Sequence, residues 1–176
     1  MKYKDELIKS MKWLGEKENT LFLGQATLFS GHAISSTLTE VPKEKLIELP
    51  VMEEVQMGMC TGLSLEGYVP ISIYPRFNFM LLAINQLVNH LDKMREMTSG
   101  MLIPKVIIRV AVGSKRPLDG GSQHTQDFTE SVKDMLTDVK LIELTEPKQV
   151  FSTFEDAYNR NGSTLIVEWG DFYSEK

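Results

Sequence analysis

Residues 50–79 read PVMEEVQMGMCTGLSLEGYVPISIYPRFNF and join a helical pattern to a strand pattern. Between residues 52 and 66 only glycines interrupt the helical pattern, and Gly67 follows at the position favoured for a left-handed C-cap. Residues 69–74 are rich in β-branched side chains and end at a proline, which is typical of a strand. The stretch therefore predicts a helix followed directly by a strand.

Helices and strands alternate through the rest of the chain. The apolar spacing predicts helices at residues 3–17, 52–66, 78–98, 127–136 and 147–159. It predicts strands at residues 21–23, 46–49, 69–74, 103–110, 140–144 and 164–169. Strict alternation with apolar strands is typical of an α/β fold, a mostly parallel sheet with helices on both faces.

Composition limits the functions that the chain can have. Its 176 residues, 42% of them hydrophobic, suit one domain with its own core. A net charge of -5 offers no footprint for nucleic acid or an anionic membrane surface, so neither partner is expected. Cys60 is the single cysteine, which excludes an internal disulfide and fits a reducing compartment. With a mixed-charge N-terminus and no long apolar run, a cytoplasmic location is expected.

The helix at residues 52–66 contains two unusual features. Glu53 and Glu54 lie in its first turn, where carboxylates either oppose the helix dipole or perform chemistry. Gly58 and Gly62 each cost about 1 kcal/mol relative to alanine, and their spacing puts them on one stripe of the helix. A neighbouring helix, a bound cofactor or a partner chain would each explain a close approach there.

Several polar and aromatic residues follow the predicted strands. The turn at residues 74–79 could plug the end of the sheet, or it could hold a flat ring with an anionic tail beside Arg76. His124 lies in the polar loop at residues 113–124, where a histidine either is solvated or faces a substrate. Loops at the carboxyl ends of parallel strands meet at one edge of the sheet, so these residues are expected to gather there.

The spacing from Glu53 through Gly58 and Met59 to Gly62 resembles the E-x4-G-hydrophobic-x-x-G pattern of the pyrimidine-binding domain of thiamine diphosphate enzymes. The segments at residues 65–71, 77–79 and 83–93 are similar to the beta subunits of 2-oxo acid dehydrogenases, a branch of the transketolase-like group. The resemblance covers about residues 21–168 and is most specific in residues 50–93.

The resemblance implies a role for each candidate residue. Glu53 would hydrogen-bond a ring nitrogen of the cofactor's aminopyrimidine and favour the imino tautomer that removes the thiazolium C2 proton. Phe79 would stack on the pyrimidine, with Phe77 supporting it. His124 would hydrogen-bond the substrate or a developing oxyanion, and Arg76 would receive an acidic or phosphorylated substrate.

The sequence also departs from the family pattern. Gln25 stands where an acid commonly follows the first strand's glycine, so a polar contact to the cofactor remains but its charge is lost. The chain contains no Gly-Asp-Gly followed by Asn, the motif that holds Mg²⁺ and the diphosphate, and it offers no metal site of its own. We therefore expect a single pyrimidine-binding domain without the diphosphate-binding and C-terminal domains, completed by a separate diphosphate-binding subunit carrying that motif, in a heterotetramer.

Two functions of different classes fit these observations. The first is a beta-like half of a thiamine diphosphate enzyme acting on a 2-oxo acid or ketose-type substrate, inactive alone. The second is a non-catalytic binding or assembly subunit that retains the fold, supported by Gln25. A nucleotide-binding α/β domain unrelated to thiamine is disfavoured, because no glycine-rich phosphate loop joins a strand to a helix.

Overall fold

A computed structural model describes residues 2–29, 32–116 and 118–174. These residues contain one six-stranded sheet in which every neighbouring pair is parallel and the strand order is β2-β1-β3-β4-β6-β5. The strands are β1 (Thr20–Gly24), β2 (Leu46–Glu48), β3 (Val69–Tyr74), β4 (Ile107–Val112), β5 (Lys140–Leu144) and β6 (Thr164–Trp169). The expected parallel α/β sheet is confirmed.

Six α-helices connect and cover the strands. They are α1 (Tyr3–Gly15), α2 (Glu53–Leu65), α3 (Phe77–Met80), α4 (Met94–Met97), α5 (Thr129–Met135) and α6 (Pro147–Asn159). Shorter 3-10 turns lie at Ile34–Thr37, Lys43–Lys45, Leu81–Ala83 and Gly170–Ser174. Among the described helices, none is long and apolar enough to cross a membrane. Gly67 ends α2 with φ +90°, as the sequence predicts.

Helices cover both faces of the sheet, as expected. The α1/α6 face, defined by the side chains that α1 and α6 cover, includes Ile107 of β4 together with Leu7 and Phe154. The α2 face, covered by α2, the helical segment 77–97 and α5, includes Ile108 of β4 together with Met57. Consecutive strand residues point to opposite faces, so apolar residues at adjacent positions of β4 build both cores.

The α1/α6 face also contains a buried ion pair between β4 and β6. Arg109 Nε donates to Glu168 Oε1 at 2.6 Å, and Arg109 Nη2 donates to Glu168 Oε2 at 2.9 Å. Neither side chain is exposed to solvent. Thr37 accepts from Arg109 Nη2, and the Tyr173 hydroxyl donates to Glu168. Burial of both charges is therefore compensated by a bidentate pair and further hydrogen bonds.

The prediction of one regular helix at residues 78–98 is wrong, because the segment starts one residue earlier and is irregular. The segment begins at Phe77, passes through a 3-10 turn and forms a π-helix at Gln86–Leu91 before α4. The Asp92 amide accordingly bonds the Leu87 carbonyl, five residues back, at 2.9 Å. Leu91 and Asp92, at the end of this turn, are both buried.

The strand expected at residues 103–110 begins later, at Ile107, and extends to Val112. Pro104 has no amide hydrogen to offer to a strand ladder. Its carbonyl instead accepts from the Ser163 hydroxyl at 2.9 Å, and that hydroxyl oxygen accepts from the Val106 amide at 3.0 Å. Side-chain hydrogen bonds therefore replace the ladder before β4. The remaining boundaries differ from expectation by at most two residues.

Candidate functional site

The predicted site residues lie at the carboxyl edge of the sheet, on the segments that follow β1, β2, β3 and β4. Gln25 follows β1, and Glu53 begins α2 shortly after β2. Arg76 and Phe79 follow β3, and His124 lies in the loop after β4. The parallel sheet brings all of these segments to one edge, because its strands share one direction.

Glu53 and Gln25 form the first pair at this edge. Gln25 Nε2 donates to Glu53 Oε1 at 2.7 Å, and only 2% of Glu53 is exposed. The Tyr74 hydroxyl donates to the Glu53 carbonyl at 3.3 Å, which connects the start of α2 to the end of β3. Glu53 is therefore a buried carboxylate that holds a side-chain partner, whereas its neighbour Glu54 is exposed.

Phe79 and His124 form the second pair. Their ring centroids are 5.6 Å apart in an edge-to-face arrangement, and His124 Nδ1 lies 3.4 Å from Asn78 Oδ1. Arg76 Nη1 donates to the Gly113 carbonyl at 3.0 Å and to the His124 carbonyl at 3.4 Å. These two hydrogen bonds connect Arg76 to the loop that carries His124. Asn78 is not among the site residues predicted from the sequence. Its position next to Phe79 in the aromatic turn is the signal that could have identified it.

A small cavity of about 30 Å³ lies between these loops and the ends of β4 and β6. Its lining includes His32, Arg76, Gly113 and Tyr173. Burial, followed by the neighbouring Arg76 and His124, lowers the pKa of His32 below its ordinary value, so the neutral imidazole is favoured. His32 is half-buried and lies beside the predicted site.

Phe77 and the two glycines of α2 occupy different environments from the pairs above. Phe77 is 1% exposed and packs edge-to-face on Phe128 in the α2-face core, with ring centroids 5.7 Å apart. A Cβ on Gly58 would meet only Gln86 Oε1, at 3.8 Å, and a Cβ on Gly62 would meet nothing within 4 Å. Packing against a helix within the described chain therefore does not explain Gly62, which is exposed.

Two further expectations concern metal ions and Cys60. Within the described ranges, no group of three or more His, Cys, Asp or Glu side chains is arranged to hold a metal ion. Cys60 is fully buried in the α2-face core, and burial raises the pKa of its thiol to about 12. The thiol is therefore protonated at neutral pH, and Cys60 acts as a core side chain.

The chemistry of the donor set fits an aminopyrimidine ring. Glu53 Oε2 accepts no hydrogen bond from any residue that the structure describes, so this oxygen can accept one from a ligand. Phe79 is half-buried and presents an aromatic surface at the same edge of the sheet. A buried acceptor with an aromatic side chain nearby is what a flat, nitrogen-containing ring requires.

Comparisons with known proteins find beta subunits of dehydrogenases that are similar to part of this chain. The chain is 26% identical over 132 residues to the pyruvate dehydrogenase E1 component subunit beta of Gracilaria tenuistipitata var. liui, covering 75% of this chain and 40% of that protein. It is 32% identical over 91 residues to the 3-methyl-2-oxobutanoate dehydrogenase subunit beta of Mycobacterium tuberculosis, covering 50% of this chain and 24% of that protein. No protein-family model matches the chain.

A solved structure shares the fold. It is described as a split gene transketolase in the form of an inactive beta4 tetramer, and it superposes with a TM-score of 0.73 at 18% sequence identity. The match covers 95% of this chain and 51% of that chain. At this identity the likeness establishes the fold and not the activity.

The resemblance to transketolase-like pyrimidine-binding domains is confirmed. The sequence relatives are beta subunits of 2-oxo acid dehydrogenases, and the structural neighbour has a transketolase-like fold. This chain spans less than half of the length of those curated relatives.

Proposed function

We propose that this chain is the beta-like subunit of a two-component thiamine diphosphate-dependent enzyme acting on a 2-oxo acid or ketose-type substrate, and that it is inactive alone. The observation that carries the proposal is the buried Glu53 carboxylate at the start of α2, with one oxygen bound by Gln25 and the other available to a ligand. Phe79 and His124, at the same edge, supply the aromatic and polar contacts that such a site needs.

When bound at this edge of the sheet, thiamine diphosphate would supply a carbon nucleophile and an electron sink for cleavage of the bond next to a carbonyl. Glu53 would share a proton with a ring nitrogen of the aminopyrimidine, and Gln25, which donates to Glu53 Oε1, would hold the carboxylate in position for that bond. Phe79 would provide a stacking surface. The buried Phe77 packs on Phe128 and so holds the turn at residues 74–79 against the core. His124 donates a hydrogen bond to the substrate oxygen as negative charge develops on it.

A second subunit completes the site. The 176 residues contain no Gly-Asp-Gly followed by Asn, so the partner supplies the groups that hold Mg²⁺ and the diphosphate. The exposed apolar side chains on and near α2, including Val55 and Met59, support an interface there, in a heterotetramer with two sites. We place the enzyme in the cytoplasm, with which the free Cys60 is compatible.

The test is co-expression of this chain with a subunit carrying Gly-Asp-Gly and a later Asn. Thiamine diphosphate binding with Mg²⁺ is measured by calorimetry, and turnover is assayed with pyruvate, 3-methyl-2-oxobutanoate and a ketose phosphate. Glu53→Gln is expected to lower kcat by about 100-fold or more, because the proton-sharing carboxyl is lost. Glu54→Gln, one residue away and exposed, is the matched control and is expected to keep wild-type turnover.

The same experiment separates the two functions considered from the sequence. A Glu53→Gln complex as active as the wild type rejects the catalytic function. A wild-type complex that assembles and binds the cofactor but turns over none of the substrates supports the assembly subunit instead.

A further inference from the structure

The turn that carries Gln25 has an unusual backbone. Ala26, the next residue, has φ +53°, in the left-handed region that side chains other than glycine rarely adopt. Such a conformation persists only where the surrounding structure holds it in place. The hydrogen bond from Gln25 to Glu53 therefore depends on whatever fixes residues 25–28.

Glu48 fixes this turn. Its Oε1 accepts from the Ala26 amide at 2.6 Å. Its Oε2 accepts from the Leu28 amide at 2.9 Å and from the Thr27 hydroxyl at 3.0 Å. One carboxylate thus receives three donors from three consecutive residues, starting at the residue after Gln25.

The position of Glu48 in the sheet makes this contact possible. Glu48 is the last residue of β2 and pairs in register with Gly24, the last residue of β1. The Leu49 amide bonds the Gly24 carbonyl at 2.9 Å, so backbone and side chain of the same strand end both hold the turn. Burial alone would raise the pKa of Glu48, but the amides of Leu28 and Ala26 outweigh it and keep this pKa below its ordinary value.

We propose that Glu48 is a positioning residue, acting through Gln25, for the cofactor-binding carboxylate of Glu53. It holds the strained turn so that Gln25 Nε2 stays 2.7 Å from Glu53 Oε1 and directs the other carboxylate oxygen towards the ring. The inference rests on the proposed role of Glu53. In this proposal Glu48 acts without contacting cofactor or substrate. Removing its carboxylate releases the side-chain amide of Gln25, which orients Glu53.

The first part of the test uses the isolated chain and needs no cofactor. The side-chain amide resonances of Gln25 are followed by nuclear magnetic resonance in wild type, Glu48→Ala and Glu143→Ala. Glu143 is half-buried on β5, the opposite edge strand, and its carboxylate makes no hydrogen bond with the described residues, so its replacement is the matched control. Glu48→Ala is expected to shift the Gln25 amide signals and speed their exchange, and Glu143→Ala to leave them unchanged.

The second part uses the assembled complex with Mg²⁺ and thiamine diphosphate as the probe. Glu48→Ala is expected to raise the Kd for thiamine diphosphate about tenfold, comparable with the loss of an outer partner at metal sites. Glu48→Asp, which keeps the charge, is expected to restore part of the affinity. In a Gln25→Ala background Glu48→Ala is expected to have little further effect, because the side chain through which it acts is gone.

The inference about Glu48 and the proposed function of Glu53 would fail in distinguishable ways. The inference is overturned if the Gln25 signals ignore Glu48→Ala, or if the losses from Glu48→Ala and Gln25→Ala simply add, as expected for general loosening of the fold. Failure of the proposed function is detected separately, as a Glu53→Gln complex with wild-type cofactor affinity and turnover.

Discussion

The α1/α6 face and the α2 face of the sheet differ in how completely the chain itself covers their apolar side chains. On the first, the large apolar residues of α1 and α6 are buried or half-buried, and Trp13 packs edge-to-face on both Phe151 and Tyr158. On the second, Val55 and Met59 are 46% and 40% exposed, and Leu82 beside them is 63% exposed. One face is closed by the chain itself, whereas the other has apolar surface for another molecule to cover.

Stability and assembly should therefore respond to different residues. Replacements within the α1/α6 face should change the folding free energy of the isolated chain. Replacements on the outside of α2 should leave that free energy almost unchanged and act on assembly.

Glu168→Leu should lower the free energy of unfolding by about 3–5 kcal/mol, because it leaves the Arg109 guanidinium buried without its partner. Urea unfolding of the isolated chain, followed by circular dichroism, measures the loss. The double variant Arg109→Met with Glu168→Leu should recover much of it, since no unpaired charge remains. Additive losses in the double variant would show that the pair does not act as a unit.

Asp92→Asn should cost about 2 kcal/mol, because the buried carboxylate accepts from the amides of Thr137, Asp138 and Val139. Burial alone would raise the pKa of Asp92, but these donors outweigh it and hold this pKa below its ordinary value of 3.8. The difference from wild type should therefore be constant above about pH 5 and shrink as the pH falls through the lowered pKa. Unfolding curves between pH 3 and pH 7 check this, and a difference independent of pH would contradict it.

Met59→Gln should weaken association with the diphosphate-binding subunit about tenfold, about 1.4 kcal/mol, by placing an amide in an apolar interface. The isolated chain should change in stability by no more than about 0.5 kcal/mol, since Met59 is already exposed. Analytical ultracentrifugation measures the first and urea unfolding the second. Glu155→Ala, exposed on α6, is the control for association; equal weakening by both variants would place the interface elsewhere.

Gly62→Ala should stabilise the isolated chain by about 0.5–1 kcal/mol, because a Cβ there meets no atom within 4 Å and alanine is the better helix former. The same methyl group should weaken association with the proposed partner subunit. The substitution should therefore stabilise the isolated chain and destabilise the complex. Gly24→Ala is the contrasting variant, since its Cβ would lie 2.6 Å from the Ile73 carbonyl oxygen and should destabilise the chain. A stabilised chain with unchanged association would remove Gly62 from the interface.

The fold was largely predictable from local patterns, and its exceptions come from distant contacts. Apolar runs bounded by Gly and Pro were enough for all six strands and their parallel arrangement. The π-helix at Gln86–Leu91 was not predictable, because Asp92 is buried only through amides of residues 137–139, distant in sequence. The late start of β4 similarly depends on Ser163, far along the chain.

Predictability of the candidate site followed the same rule. Glu53, Phe79 and His124 could be proposed as site residues from the sequence, because they lie in or beside a recognisable spacing or turn. Glu48 was missed, because a charged residue ending a predicted edge strand has the pattern of a solvated one. Its contacts to residues 26–28 arise only when β1 and β2 pair in register, which the sequence spacing does not reveal.

The strand order has a consequence for how the chain reaches this structure. β6 is the last strand in sequence, yet it lies between β4 and β5, and Tyr3 of α1 donates to the Leu144 carbonyl at 3.0 Å. During synthesis, β5 therefore lacks its native partner strand until residues 164–169 have emerged. Such late, long-range closure slows folding and leaves apolar strands exposed while the chain is incomplete.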